Sequence, residues 1–96
     1  MNIAIDYDDT YSSSPNMFNE IIHTFWNYGH KVYIVTYRDS TQFNDMDMYI
    51  KHIDDYIFTS GIGKQKYCED NGLKIDIWID DSPEAICFDY KNLPIR

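Results

Sequence analysis

The sequence predicts a single α/β domain in three α/β/α layers, with a parallel, Rossmann-like sheet covered by helices on both faces. Three observations lead there. Apolar, β-branched runs alternate with segments of helical periodicity along the whole chain, and the connections between them are short. The first run, Ile3-Ala4-Ile5, is apolar on both faces, as a strand covered on both sides must be. Polar residues gather where the strands end, which is where open parallel sheets bind their ligands.

Asn2 to Tyr7 reads as the first strand. Ser14 then offers a helix N-cap and Pro15 a first-turn residue, after which Met17, Phe18, Ile21, Ile22, Phe25 and Trp26 recur at helical spacing until Gly29. Lys31 to Thr36 carries Val32, Tyr33, Ile34 and Val35 and predicts a second strand, bounded by Gly29 and by the polar Arg38-Asp39-Ser40. Phe43, Met46, Tyr49, Ile50 and Ile53 have the spacing of a second amphipathic helix, followed by a short third strand at Tyr56-Ile57-Phe58. Beyond the Gly61 and Gly63 turn, a brief helix from Lys64 should end at Asn71-Gly72. Lys74 to Asp80 supplies a fourth strand with Ile75, Ile77 and Ile79 on one side, and the tail from Ser82 should hold one helical turn and a remnant strand.

The composition bounds what such a domain can do. With 96 residues, 44% of them hydrophobic and 17% aromatic, the chain can bury one core and has no room for a second domain. Its net charge of -8 opposes strong non-specific binding to nucleic acid or to an anionic membrane. Cys68 and Cys87 are too few for a disulfide framework, and no signal peptide or long apolar run is present, so the expectation is a reduced, cytoplasmic protein without a membrane span.

The strand ends hold the chemistry. The first strand runs into Asp6-Tyr7-Asp8-Asp9-Thr10, the second ends at Thr36, Lys64 and Lys66 follow the third, and the fourth ends in Asp80-Asp81. Close carboxylates repel by roughly 4 kcal/mol per pair at intermediate dielectric, so a positive partner is expected among them. Hard oxygen donors without a His or Cys ligand set favour magnesium over zinc.

These motifs, in this order and on these elements, resemble the haloacid dehalogenase superfamily of phosphohydrolases, most closely its small, stand-alone, capless members. Asp6-x-Asp8-x-Thr10 is similar to the first motif of that family, Thr36 to the second, Lys64 to the third and Asp80-Asp81 to the fourth, a likeness spanning residues 3 to 81. The resemblance implies a magnesium-dependent phosphomonoesterase. Asp6 would be the nucleophile that becomes a transient aspartyl-phosphate, and Asp8 the general acid that later takes a proton from water. Thr36 would bind a phosphoryl oxygen, and Lys64 would stabilise the phosphoryl charge and restrain Asp6. Magnesium would be held by Asp6, the backbone carbonyl of Asp8, and Asp80, with Asp81 holding a metal-bound water or pairing with the lysine. The remnant after Asp81 is shorter than the family's usual fifth strand.

Other residues have plainer readings. Asp9 reads as a solvated loop charge, Thr10 as a turn stabiliser, Lys66 as a solvated helix residue and Arg38 as a surface arginine, with contact to the substrate as its alternative. Asp45 and Asp47 read as a solvated helix face, while Asp54-Asp55 precedes a strand and so faces away from the site. His23, His30 and His52 have no ligand-like spacing, and Cys68 and Cys87 read as small core residues. The gaps from Thr10 to Pro15 and from Phe58 to Lys64 are too short for a cap domain. An open site then implies a large phosphorylated substrate, or a homo-oligomer in which a neighbouring subunit forms the lid. Two rivals are a catalytically degenerate metal-binding or interaction module, and a receiver-like domain, whose acceptor aspartate would be expected on the third strand, where Tyr56, Ile57 and Phe58 stand.

Overall fold

The computed structural model describes residues 1–93. Among these, the strands Asn2–Ile5 (β1), Lys31–Thr36 (β2), Asp55–Phe58 (β3) and Ile77–Ile79 (β4) form one sheet. All neighbouring pairs are parallel and the spatial order is β3-β2-β1-β4. The α-helices are Pro15–Asn27 (α1), Lys64–Asp70 (α2) and Glu84–Cys87 (α3). No helix among the described residues is long and apolar enough to cross a membrane.

Alternation along the strands divides the core. Ile3 and Ile5 of β1 and Val32 and Ile34 of β2 are fully buried in one cluster with Phe18 and Ile22 of α1. Ala4 and Val35, one residue out of step, pack instead with Cys68 of α2, joined by Tyr33, Ile57, Leu73 and Trp78. Each wholly buried isoleucine contributes roughly 1.5–3 kcal/mol relative to exposure, so a one-residue slip would forfeit several such terms at once.

Both longer helices end by the same device. After α1, Gly29 has φ +83°, and the N–H groups of Gly29 and His30 donate to the carbonyls of Trp26 and Phe25. After α2, Gly72 has φ +80°, and the N–H groups of Gly72 and Leu73 donate to Glu69 and Cys68. This left-handed glycine closure satisfies carbonyls the helix leaves open and turns the chain toward the next segment. Pro15 opens α1 as expected, although the Ser14 side chain makes no capping bond.

Three expectations are corrected. Residues 43–53 form no helix and run instead through irregular turns. Asp47 competes with a helix through a local side-chain bond, its carboxylate accepting the Tyr49 N–H. Tyrosine hydroxyls take two further N–H groups, Tyr7 accepting from Asp47 and Tyr56 from Ile50. The apolar spacing is still used, since Met46 and Ile50 bury into the α1-side cluster while Phe43 and Tyr49 are exposed.

β4 is shorter than Lys74 to Asp80, and Ile75 packs on the opposite cluster from Ile77 and Ile79. At the break between them, the Asp76 N–H donates to the Asn2 carbonyl while its carboxylate accepts the Asn2 N–H. The expected remnant strand is absent among the described residues, which have a single 3-10 turn at Tyr90–Asn92 after α3; residues 94–96 lie outside them. Here the Tyr90 N–H donates to the Gly61 carbonyl at 2.6 Å, tying this segment to the loop after β3.

The chain builds β1, β2 and β3 outward to one side, then returns to place β4 on the other side of β1. Chain directions therefore diverge at the carboxyl ends of β1 and β4, which leaves a crevice there.

Candidate functional site

Asp6 follows directly on β1, and its N–H continues the sheet by donating to Ile79 of β4 at 2.9 Å. The chain then doubles back tightly. Asp9 adopts φ +60°, a left-handed conformation that Asp tolerates, with its N–H on Ser12 Oγ, and the Tyr11 N–H returns to the Asp6 carbonyl. This turn brings Thr10 Oγ1 to 3.1 Å from Asp6 Oδ2 and 3.0 Å from Asp81 Oδ1, while the same oxygen accepts the Asp81 N–H. A hydroxyl has one proton, so Thr10 serves one of the two carboxylates at a time. Thr10 thus stabilises the turn, as read from the sequence, and also links the first and last motifs.

Lys64 begins α2, and only 2% of its side chain is exposed. Its Nζ donates to Asp6 Oδ1 at 2.8 Å and to Asp80 Oδ2 at 2.6 Å. The ammonium also lies 5.5 Å from the centroid of the Tyr37 ring. Of the two lysines, Lys64 is therefore the one at the site, while Lys66 is exposed and pairs with Asp70 one helical turn on.

Asp80 is equally withdrawn, and its second oxygen accepts the Ser82 N–H. One oxygen from each of Asp6, Asp80 and Asp81 can be chosen so that all lie within 4.8 Å of one another. Burial raises the Asp6 carboxyl to a pKa of about 7 against the pull of Lys64, with the Asp80 charge and the Asp81 hydrogen bond adding to the rise. Thr36 closes β2 almost fully buried and lines the same cavity of about 550 Å³ as Asp6, Asp8, Lys64, Asp80 and Asp81.

Asp8 lines that cavity too, yet its carboxylate is engaged and is not one of the clustered trio. Arg38 grips it with two bonds, Nη2 to Oδ1 at 2.6 Å and Nε to Oδ2 at 2.9 Å. The guanidinium also bonds Asp45 and the Gln42 carbonyl. Arg38 is thus no free surface arginine, and Asp45, though exposed, is its partner and no part of a helix face. The sequence carried one signal for this: Arg38 stands two residues beyond Thr36, at a strand end that already bore chemistry.

The remaining residues fall away from the site. Asp54 and Asp55 lie at the start of β3, where Asp54 accepts the Val32 N–H. His23 and His52 pack against Trp26, and His30 bonds the N-terminal amine. Cys68 is buried as expected, whereas Cys87 is exposed, because α3 is a single turn that buries only Ala85. Compared with known protein families, curated proteins and solved structures, the chain matches none.

Proposed function

We propose that the protein is a magnesium-dependent phosphomonoesterase acting through an aspartyl-phosphate on Asp6, built on a three-layer Rossmann-like scaffold of the capless haloacid dehalogenase kind. One observation carries the reading: a buried lysine bridges Asp6 and Asp80 at the β1/β4 crevice, with Asp81 and Thr36 in the same cavity. Free Cys68 and Cys87 suit a reducing, cytoplasmic setting.

The three clustered carboxylates fit magnesium, which takes oxygen ligands and keeps part of its water shell. Asp6, Asp80 and Asp81 would hold it, and when bound it would supply positive charge that keeps Asp6 ionised and polarises phosphoryl oxygens. An Asp6 oxygen attacks phosphorus as the bond to the leaving oxygen breaks, and Asp8 delivers a proton to that oxygen. Asp8 then takes a proton from a water that attacks the aspartyl-phosphate, releasing inorganic phosphate and restoring Asp6. Lys64 and Thr36 donate hydrogen bonds to the phosphoryl oxygens throughout. Because Arg38 occupies both Asp8 oxygens, the acid role requires that pair to open when substrate arrives.

That pair favours one rival, a module that binds metal and does not turn over. The discriminating experiment is phosphate release from a panel of phosphomonoesters with and without magnesium, for the native chain and for Asp6→Asn. Magnesium-dependent release that vanishes in Asp6→Asn supports the phosphatase. Undiminished activity in that variant would refute Asp6 as nucleophile, and magnesium binding without release across the panel would establish the rival.

A further inference from the structure

Tyr37 and Tyr90 line two cavities at once: the one containing Asp6 and a second, adjoining cleft of about 750 Å³. Their rings meet edge to face, with centroids 5.9 Å apart and planes at 87°. The wall they form is built into the fold. The Tyr37 hydroxyl donates to the Phe88 carbonyl, the Gly63 N–H to Asp89 Oδ1 at 2.8 Å, and the Tyr90 N–H to the Gly61 carbonyl at 2.6 Å. Together these fasten residues 88–90 as a strap across the loop between β3 and α2.

The second cleft has an apolar side, where Ile62 is 40% and Tyr90 68% exposed. Part of its polar lining is committed already, Asp89 to Gly63, Gln42 Oε1 to the Asp39 N–H, and Arg38 to Asp8 and Asp45, and Ser60 and Lys91 complete the polar rim. The exposed Ile62 and the two tyrosine rings suit a flat ring, which gains buried area and aromatic contact there.

Resting on the phosphatase reading, we propose that this cleft receives the leaving group of the substrate and selects one with a planar aromatic or heteroaromatic ring. The phosphate would lie between Lys64 and Thr36, and the ring would pass over the Tyr37–Tyr90 wall. A small ring-bearing phosphomonoester thereby finds its own enclosure without the cap that the short connections leave no room for.

The test compares benzylphosphonate and methylphosphonate, non-hydrolysable probes that share the anionic head, by titration calorimetry in magnesium. The native chain should bind the benzyl compound roughly tenfold more tightly, from ring burial and aromatic contact. Tyr90→Ala should lose most of that preference, read as the ratio of the two affinities, and Tyr90→Phe should retain it. The strap's own bonds use the Tyr90 backbone, so the alanine variant keeps its anchors. Ile62→Ser should reduce the preference too, which preserves the test if the Tyr90 variant fails to fold. Equal affinity of the native chain for both probes, or a preference untouched by these substitutions, overturns the ring cleft and leaves the phosphate site standing. Binding of neither probe overturns both.

Discussion

Lys64 Nζ lies 2.8 Å from Asp6 Oδ1 across 58 residues of chain, from a side chain that is only 2% exposed. The same ammonium is 2.6 Å from Asp80, so one cation neutralises carboxylates from β1 and β4 and fastens α2 to the crevice between them. Removing one partner of a buried ion pair leaves an uncompensated charge, which typically costs about 3–5 kcal/mol. We expect Lys64→Met to lose stability on that scale in urea denaturation with chelator present. Phosphate release should fall by about 10²-fold or more, the usual consequence of losing an electrostatic donor at the reacting centre.

Asp6 adds a pH dependence of its own to the stability of the metal-free protein. Its carboxyl is raised from 3.8 to about 7, so between those values the folded state holds a proton that the unfolded state has released. Stability from this group is therefore greatest below about pH 4 and declines until about pH 7, by roughly 2–4 kcal/mol. Asp6→Asn cannot ionise and should escape the decline. We expect the native chain in chelator to lose stability relative to Asp6→Asn across that window, and a constant difference between the two would contradict the burial argument.

The sequence showed the site more clearly than the fold around it. Asp6, Thr36, Lys64 and Asp80 follow short, strongly apolar strands or a glycine turn, whose local signals agree with the final structure, so their convergence could be expected. Residues 43–53 misled because a helical spacing of apolar side chains can also be met by a turn-rich segment whose N–H groups bond Tyr7 and Tyr56, distant partners that periodicity does not report. The Arg38 pairing with Asp8 was hidden for the same reason, since it depends on a loop lying back across the strand ends.

Arg38 ties Asp8 to that loop, which gives it two separable effects. Arg38→Ala removes the competitor for the Asp8 carboxylate, and kcat should rise severalfold for substrates with poor leaving groups, where proton delivery limits the rate. It also releases Asp45 and the Gln42 carbonyl, so amide hydrogen exchange should quicken in residues 39–47. Arg38→Lys, which cannot form the two-pronged grip, should show both effects more weakly. A fall in kcat for Arg38→Ala, with exchange unchanged, would place Arg38 on the substrate and not on Asp8.

Magnesium should oppose the repulsion that Lys64 only partly relieves. A ligand at a hundred times its dissociation constant stabilises the folded state by about 2.7 kcal/mol, which for a domain of this size corresponds to a rise of about 10 °C or more in Tm. We expect that rise in the native chain and its loss in Asp80→Asn, which removes the one of the three carboxylates most withdrawn from water. Asp81→Asn should retain part of it, because Asp81 is exposed and its place near the ion can be taken by water. Lys64→Met should show a larger rise than the native chain, since the ion then supplies the positive charge that Lys64 gave to Asp6 and Asp80. Equal rises in all four proteins would mean that the ion binds elsewhere on an acidic surface and not among these three carboxylates.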